Sequence, residues 1–201
     1  MTFFSVDIET SDARLGRGRI FTIGAVPVSW SPGWTAELVP DTFYVRLDYP
    51  TLLDEWRNEP PDTDTYKWWS QQSDRARAEA YEDPDLLRST PTGALRMLTE
   101  FVRTYNLETE PATFVANPVA FDKGFIDELY GTLGMESPFH YRSLCLRSMK
   151  FGMRFGSAFG NDREDHAPKI PHHALSDAIA QAHDLISMLN ERDAATESVA
   201  P

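Results

Sequence analysis

Asp7 and Glu9 stand two residues apart in the run Phe4-Ser5-Val6-Asp7-Ile8-Glu9-Thr10. Side chains two apart on a β-strand project from the same face, so a strand here places both acids together and turns Phe4, Val6 and Ile8 into a core. Neighbouring carboxylates can share a divalent cation, and their hard oxygens suit Mg²⁺ or Mn²⁺. Asp-x-Glu alone is a weak signal. An acidic chain produces it by chance, and Asp162-Arg163-Glu164 repeats it in a polar stretch. The apolar setting distinguishes the first copy.

Two further clusters of chemistry-bearing residues follow. In Ala116-Asn117-Pro118-Val119-Ala120-Phe121-Asp122-Lys123-Gly124-Phe125-Ile126 an apolar strand turns into a helix with Asp122 near its start. By itself such an acid is a helix cap or a first-turn charge more often than a catalyst. Pro171-His172-His173-Ala174-Leu175-Ser176-Asp177 opens the last helical segment. A lone Asp there usually faces solvent and a lone His is usually structural.

The elements that must position these residues read as strands first and helices later. Residues 2–8, 19–30 and about 34–47 are rich in Ile, Val, Phe, Tyr and Thr and read as a three-stranded meander, with a turn at Ser31-Pro32-Gly33. Helical patterns run from Thr65 to Tyr81, Thr92 to Tyr105 and Phe121 to Leu133, with a short strand at Thr113 to Ala116. Residues 156–171 read as a mobile loop. Ala174, Leu175, Ala178, Ile179, Ala182, Leu185, Ile186 and Leu189 then form a helical apolar stripe.

The 201 residues, 41% hydrophobic with five Trp and twelve Phe, suit one globular domain over 1–191, followed by a disordered tail over 192–201. No apolar run is long enough to span a membrane. The N-terminus lacks a secretory pattern and the single Cys145 forms no internal disulfide, which gives the expectation of a cytoplasmic protein. A net charge of −12 argues against a broad grip on duplex nucleic acid, but a metal-filled acidic site is compatible with it.

Taken together, Asp-x-Glu on the first strand, Phe-Asp at a strand-to-helix junction and His-x-x-x-x-Asp opening the final helix resemble, in order and spacing, the DEDDh exonucleases. That family includes ribonuclease T, oligoribonuclease and the proofreading subunit of bacterial DNA polymerase III. The resemblance covers about residues 3–190. The segment Thr65 to Ser73 is similar to one in phage-type and actinobacterial members. One departure is Asn117-Pro118, where many relatives carry a His-Asn pair nearer the acid.

The resemblance implies an α/β ribonuclease H-like fold, a mixed central β-sheet flanked by α-helices. It implies metal-dependent hydrolysis of single-stranded DNA or RNA from a free 3′ end to nucleoside 5′-monophosphates. Two divalent cations, Mg²⁺ or Mn²⁺, would be held by Asp7, Glu9, Asp122 and Asp177. The family pattern selects His172 as general base, whereas helical spacing pairs His173 with Asp177. Substrate contacts fall on Thr10, Ile8, Phe121 and Phe125, although core packing is the commoner role for Phe125.

Adjacent Trp68 and Trp69 cannot both face the core of a helix squarely, which leaves one for a substrate channel or for a subunit contact in a homodimer. Arg142, Arg147, Lys150 and Arg154 read either as a solvated helix face or as a phosphate track. Two readings compete with the exonuclease. One is a non-catalytic nucleic-acid-binding protein on the same fold; the other is a phosphodiesterase acting on small nucleotides.

Overall fold

The computed structural model describes residues 2–31, 35–106, 111–155 and 166–197. The chain order is β1 (Thr2–Thr10), β2 (Ile20–Ser29), β3 (Glu37–Leu38), β4 (Phe43–Arg46), α1 (Pro50–Asn58), α2 (Asp64–Trp69) and α3 (Asp74–Arg77). After a π-helical turn at Ala78–Glu82 come α4 (Pro91–Tyr105), β5 (Ala112–Ala116), α5 (Val119–Thr132), β6 (Phe139–Cys145), α6 (Leu146–Phe155) and α7 (Ala174–Glu197).

The sheet runs β3-β2-β1-β5-β6, with β4 also paired to β2. β1 is antiparallel to β2, placing Asp7 beside Gly24 and Glu9 beside Thr22, and parallel to β5. The sheet is therefore mixed, as expected. Strand parity decides its two faces. Phe4, Val6 and Ile8 join Leu95, Leu98 and Val102 of α4 and Ile126 and Tyr130 of α5 in one core. Phe3 on the other face joins Ala178, Ala182 and Leu185 of α7.

Small residues let α7 approach the sheet closely. A Cβ on Gly24 would lie 2.4 Å from the Ala174 carbonyl carbon, so β2 admits the start of α7 only because that side chain is missing. Ser5 Oγ donates to the Ala178 carbonyl at 2.9 Å in the same seam. A third core gathers Phe21, Leu53, Trp56, Trp69, Ala80 and Tyr81 beneath α1 to α3.

Several expected boundaries shift. The third apolar run divides into β3 and β4, both of which pair with β2, so it is not the third strand of a simple meander. The helix expected over Thr65 to Tyr81 is broken. Thr63 Oγ1 caps α2 by accepting the Tyr66 N–H at 3.1 Å, and Ser73 Oγ caps α3 by accepting that of Ala76 at 3.2 Å. Helix α1, begun by Pro50, and strand β6 were not foreseen. Helix α7 continues to Glu197, through residues expected as tail. The turn at Pro32-Gly33 and most of the loop, residues 156–165, lie outside the described residues.

Candidate active site

Strand β1 carries Asp7 and Glu9 on the face toward α7, and Asp177 reaches them from that helix's first turn. One carboxylate oxygen from each of these three lies within 4.8 Å of the others. Asp122 arrives from the first turn of α5 on the sheet's opposite side, where its Oδ1 accepts the Ile8 N–H at 3.2 Å. It is 3% exposed. All four acids line one cavity of about 530 Å³ together with His172.

Neighbouring residues fix the acids. Gln181, one helical turn beyond Asp177, donates from Nε2 to Asp7 Oδ1 at 2.7 Å. Its Oε1 is buried and has no hydrogen-bond partner among the described residues. Asp177 Oδ2 accepts the main-chain N–H of His173 at 3.0 Å.

Burial pushes the Asp7 and Glu9 carboxyls well above their ordinary range, and the neighbouring acids push them further. Burial likewise raises Asp122 to about 7, against the pull of the Ile8 N–H. Asp177 rises to about 6 through burial, opposed by main-chain N–H groups of His173 and His172. Crowded carboxylates with an orphaned amide oxygen among them form a set whose repulsion a divalent cation would relieve, so the residues fit a metal centre.

The two histidines separate. His172 adopts a left-handed backbone, φ 60°, just ahead of α7. Its ring meets Trp68 edge-on with centroids 4.6 Å apart, and it lines the acidic cavity. Burial lowers its pKa. His173 turns away, stacking on Tyr44 at 4.7 Å with Nε2 3.9 Å from Glu79. Helical spacing misleads because His173 precedes the first residue of α7: its Nδ1 accepts the Ser176 N–H at 3.4 Å, and its carbonyl accepts that of Asp177 at 3.0 Å.

A second hollow of about 380 Å³ adjoins the first and shares Ile8, Glu9 and Phe121 with it. Thr10, Ala13, Asp64, Thr65, Trp68 and Trp69 complete its wall. Trp68 is 39% exposed, while Trp69 is fully buried and donates from Nε1 to the Thr10 carbonyl at 3.0 Å. Of the residues weighed for substrate contact, Phe125 takes the core place that was its commoner reading. It is 3% exposed, packs in the core beside the Gly18 backbone and lines neither hollow, because its place on α5 faces the sheet.

The expected basic helix face also breaks up. Arg142 belongs to strand β6 and packs over Tyr141, whereas Lys150 turns toward α7 and pairs with Asp184 at 2.7 Å. Gln181, Asp184 and His166, all lining the acidic cavity, were missed. The spacing Asp177, Gln181, Asp184 repeats at four and three residues, a helical signal that places polar groups on one face of an otherwise apolar helix.

The whole-chain likenesses agree with this geometry. The nuclease domain of 3'hExo, a DEDDh family member, in a structure bound to rAMP, is 14% identical with a TM-score of 0.53; the match covers 94% of this chain and 92% of that one. E. coli exonuclease I in complex with a dT13 oligonucleotide is 13% identical with a TM-score of 0.62, covering 98% of this chain and 43% of that one. Cell-death related nuclease 4 is 15% identical at a TM-score of 0.50, covering 94% and 64%. This chain thus spans less than half of exonuclease I. No curated protein matches the sequence. Residues 2–188 match the model of the 3'-5' exoribonuclease Rv2179c-like domain, so the chain belongs to that family and is a 3′-5′ exonuclease on a ribonuclease H-like fold.

Proposed function

We propose that the enzyme degrades single-stranded nucleic acid, RNA in preference to DNA, stepwise from a free 3′ hydroxyl to nucleoside 5′-monophosphates. Two divalent cations, Mg²⁺ or Mn²⁺, are held by Asp7, Glu9, Asp122 and Asp177. The observation that carries the reading is the convergence of Asp7, Glu9 and Asp177 within 4.8 Å, in one cavity with Asp122 and His172. The description of the matched family as exoribonuclease favours RNA.

When bound, the cations supply Lewis-acid activation of water and offset charge on the scissile phosphate. The protein's own groups do the rest. Gln181 fixes Asp7 and the Ile8 N–H fixes Asp122, so the carboxylates are aimed before substrate arrives. His172 accepts the proton of the attacking water; burial keeps its imidazole neutral at pH 7, and Trp68 supports the ring. The terminal nucleoside occupies the adjoining hollow, where Phe121 and Trp68 supply apolar faces for the base and Thr10 and Ile8 close the floor.

Incubation of 5′-labelled single-stranded RNA and DNA with Mg²⁺ or Mn²⁺ tests the reading. The expected result is a ladder shortening from the 3′ end, nucleoside 5′-monophosphate as product, abolition by EDTA and faster loss of RNA. Turnover of small nucleotide esters with intact oligonucleotides would select the small-phosphodiesterase reading instead.

A further inference from the structure

The acidic cavity has a basic corner. Asp184 on α7 is 3% exposed, and both of its oxygens are used. Oδ2 accepts from Lys150 Nζ on α6 at 2.7 Å, while Oδ1 accepts the His166 N–H at 2.9 Å and lies 2.7 Å from His166 Nδ1. The His166 ring is stacked against His183, centroids 5.5 Å apart. Lys150, His166 and Asp184 line the same cavity as the four acids but not the hollow around Trp68 and Thr10.

A buried ion pair is poor evidence of stability, because removing both charges from water offsets most of their attraction. The arrangement here does something an apolar trio cannot: it fixes an ammonium and an imidazole at the wall of a cavity otherwise lined by carboxylates. Seven residues separate Asp177 from Asp184 on one helix face, which sets the corner about 10 Å along α7 from the acids. A compact ammonium suits a single phosphate.

We propose that Lys150 and His166, held by Asp184, bind a backbone phosphate of the substrate strand on the 5′ side of the scissile bond. The proposal rests on the strand-degrading reading above. With the terminal nucleoside in the Trp68 hollow and the scissile phosphate at the acids, the rest of the strand leaves past this corner. The site gives an enzyme of net charge −12 a local hold on polyanionic substrate and favours chains of several nucleotides over dinucleotides.

Single-turnover kinetics on an RNA oligonucleotide carrying one uncharged methylphosphonate linkage, moved in turn through the first three positions 5′ of the scissile bond, test it. One position is expected to cost the wild type about tenfold in kcat/KM, carried by KM, and Lys150→Met about tenfold on unmodified RNA. At that position the two losses should not add, because each removes one partner of the same contact. The KM of Lys150→Met should also depend less steeply on salt.

The double variant Lys150→Met/Asp184→Asn removes both buried charges and should show the same non-additivity, which separates a phosphate contact from a folding defect. Wild-type degradation of unmodified RNA with losses that simply add at every linkage overturns this proposal alone. Absence of hydrolysis of any strand by the wild type overturns it together with the function on which it rests.

Discussion

The imidazole of His173 lies stacked on the ring of Tyr44, with centroids 4.7 Å apart and planes 17° from parallel. Tyr44 Oη in turn donates to Glu79 Oε2 at 3.1 Å, and Arg46 Nε donates to the same oxygen at 2.7 Å. His173 is thereby tied to β4 and the π-helical turn, leaving His172 at the acidic cavity. His172→Ala is expected to slow hydrolysis by about 10²- to 10⁴-fold at saturating metal, the range for loss of a general base. His173→Ala should lower thermal stability and leave the rate within about fivefold. Because burial lowers the His172 pKa, the wild-type rate should rise with pH along a limb whose midpoint lies below the ordinary histidine value, and this limb should vanish in His172→Ala. A severe loss in His173→Ala alone would reverse the assignment.

Asp7→Asn and Asp177→Asn each remove a charge from the cluster within 4.8 Å while nearly preserving side-chain volume. Each should cut turnover by at least about a hundredfold, the scale of losing a principal electrostatic group. Circular dichroism should show both variants folded. Near-normal turnover in either would remove that residue from the metal site.

The same acids make the metal-free protein sensitive to pH. Burial raises Asp122 to about 7 and Asp177 to about 6, above the ordinary carboxyl values they recover on unfolding. The folded state therefore binds more protons between about pH 4 and 7, so their stabilising contribution is complete below pH 4 and is lost as pH climbs through 6 and 7. In EDTA, Tm should fall from pH 5 to pH 8; Mn²⁺ should restore most of the loss. Asp7→Asn should make the EDTA profile flatter, and a wild-type profile that rises over this interval would contradict the carboxylate assignment.

Why the acids were legible and their supports were not follows from the range of the signals. Asp7 and Glu9 announce themselves through period-two alternation within a few residues, and Asp122 and His172 through their place at helix starts. Gln181 acts on Asp7 across 174 positions of sequence, and no local pattern encodes such a contact. Strand β6 was missed because its burial does not alternate: only Phe139 is buried, with Tyr141 and Arg142 exposed at the sheet edge. The break between α2 and α3 was readable in principle, since Ser73-Asp74 is an N-cap followed by a first-turn acid. Apolar content on both sides hid it.

Polarity gives a test independent of any variant. A hollow beside the acids that takes the terminal nucleoside calls for a free strand end, so a 3′-phosphate should block degradation and a circular single strand should survive. Nucleotide release should follow one-at-a-time ladders from the 3′ side. Rapid nicking of the circle by purified protein would show endonuclease action.

The two adjacent tryptophans should fail in different ways. Trp69 is fully buried among Phe21, Tyr81 and Trp68, and its Nε1 donates to the carbonyl of Thr10, next to Glu9. Truncating it to Ala leaves a large cavity and an unpaired carbonyl, so Trp69→Ala should cost about 3–5 kcal/mol in urea unfolding. Trp68 is 39% exposed and touches the His172 ring, so its loss empties a hollow already open to solvent. Trp68→Ala should therefore cost less than about 1.5 kcal/mol in stability, yet lower kcat/KM at least tenfold by unseating both the terminal base and His172. Trp68→Phe keeps an aromatic face beside His172 and should recover most of that loss; equal stability costs at the two positions, with no kinetic defect at Trp68, would show that Trp68 serves packing alone.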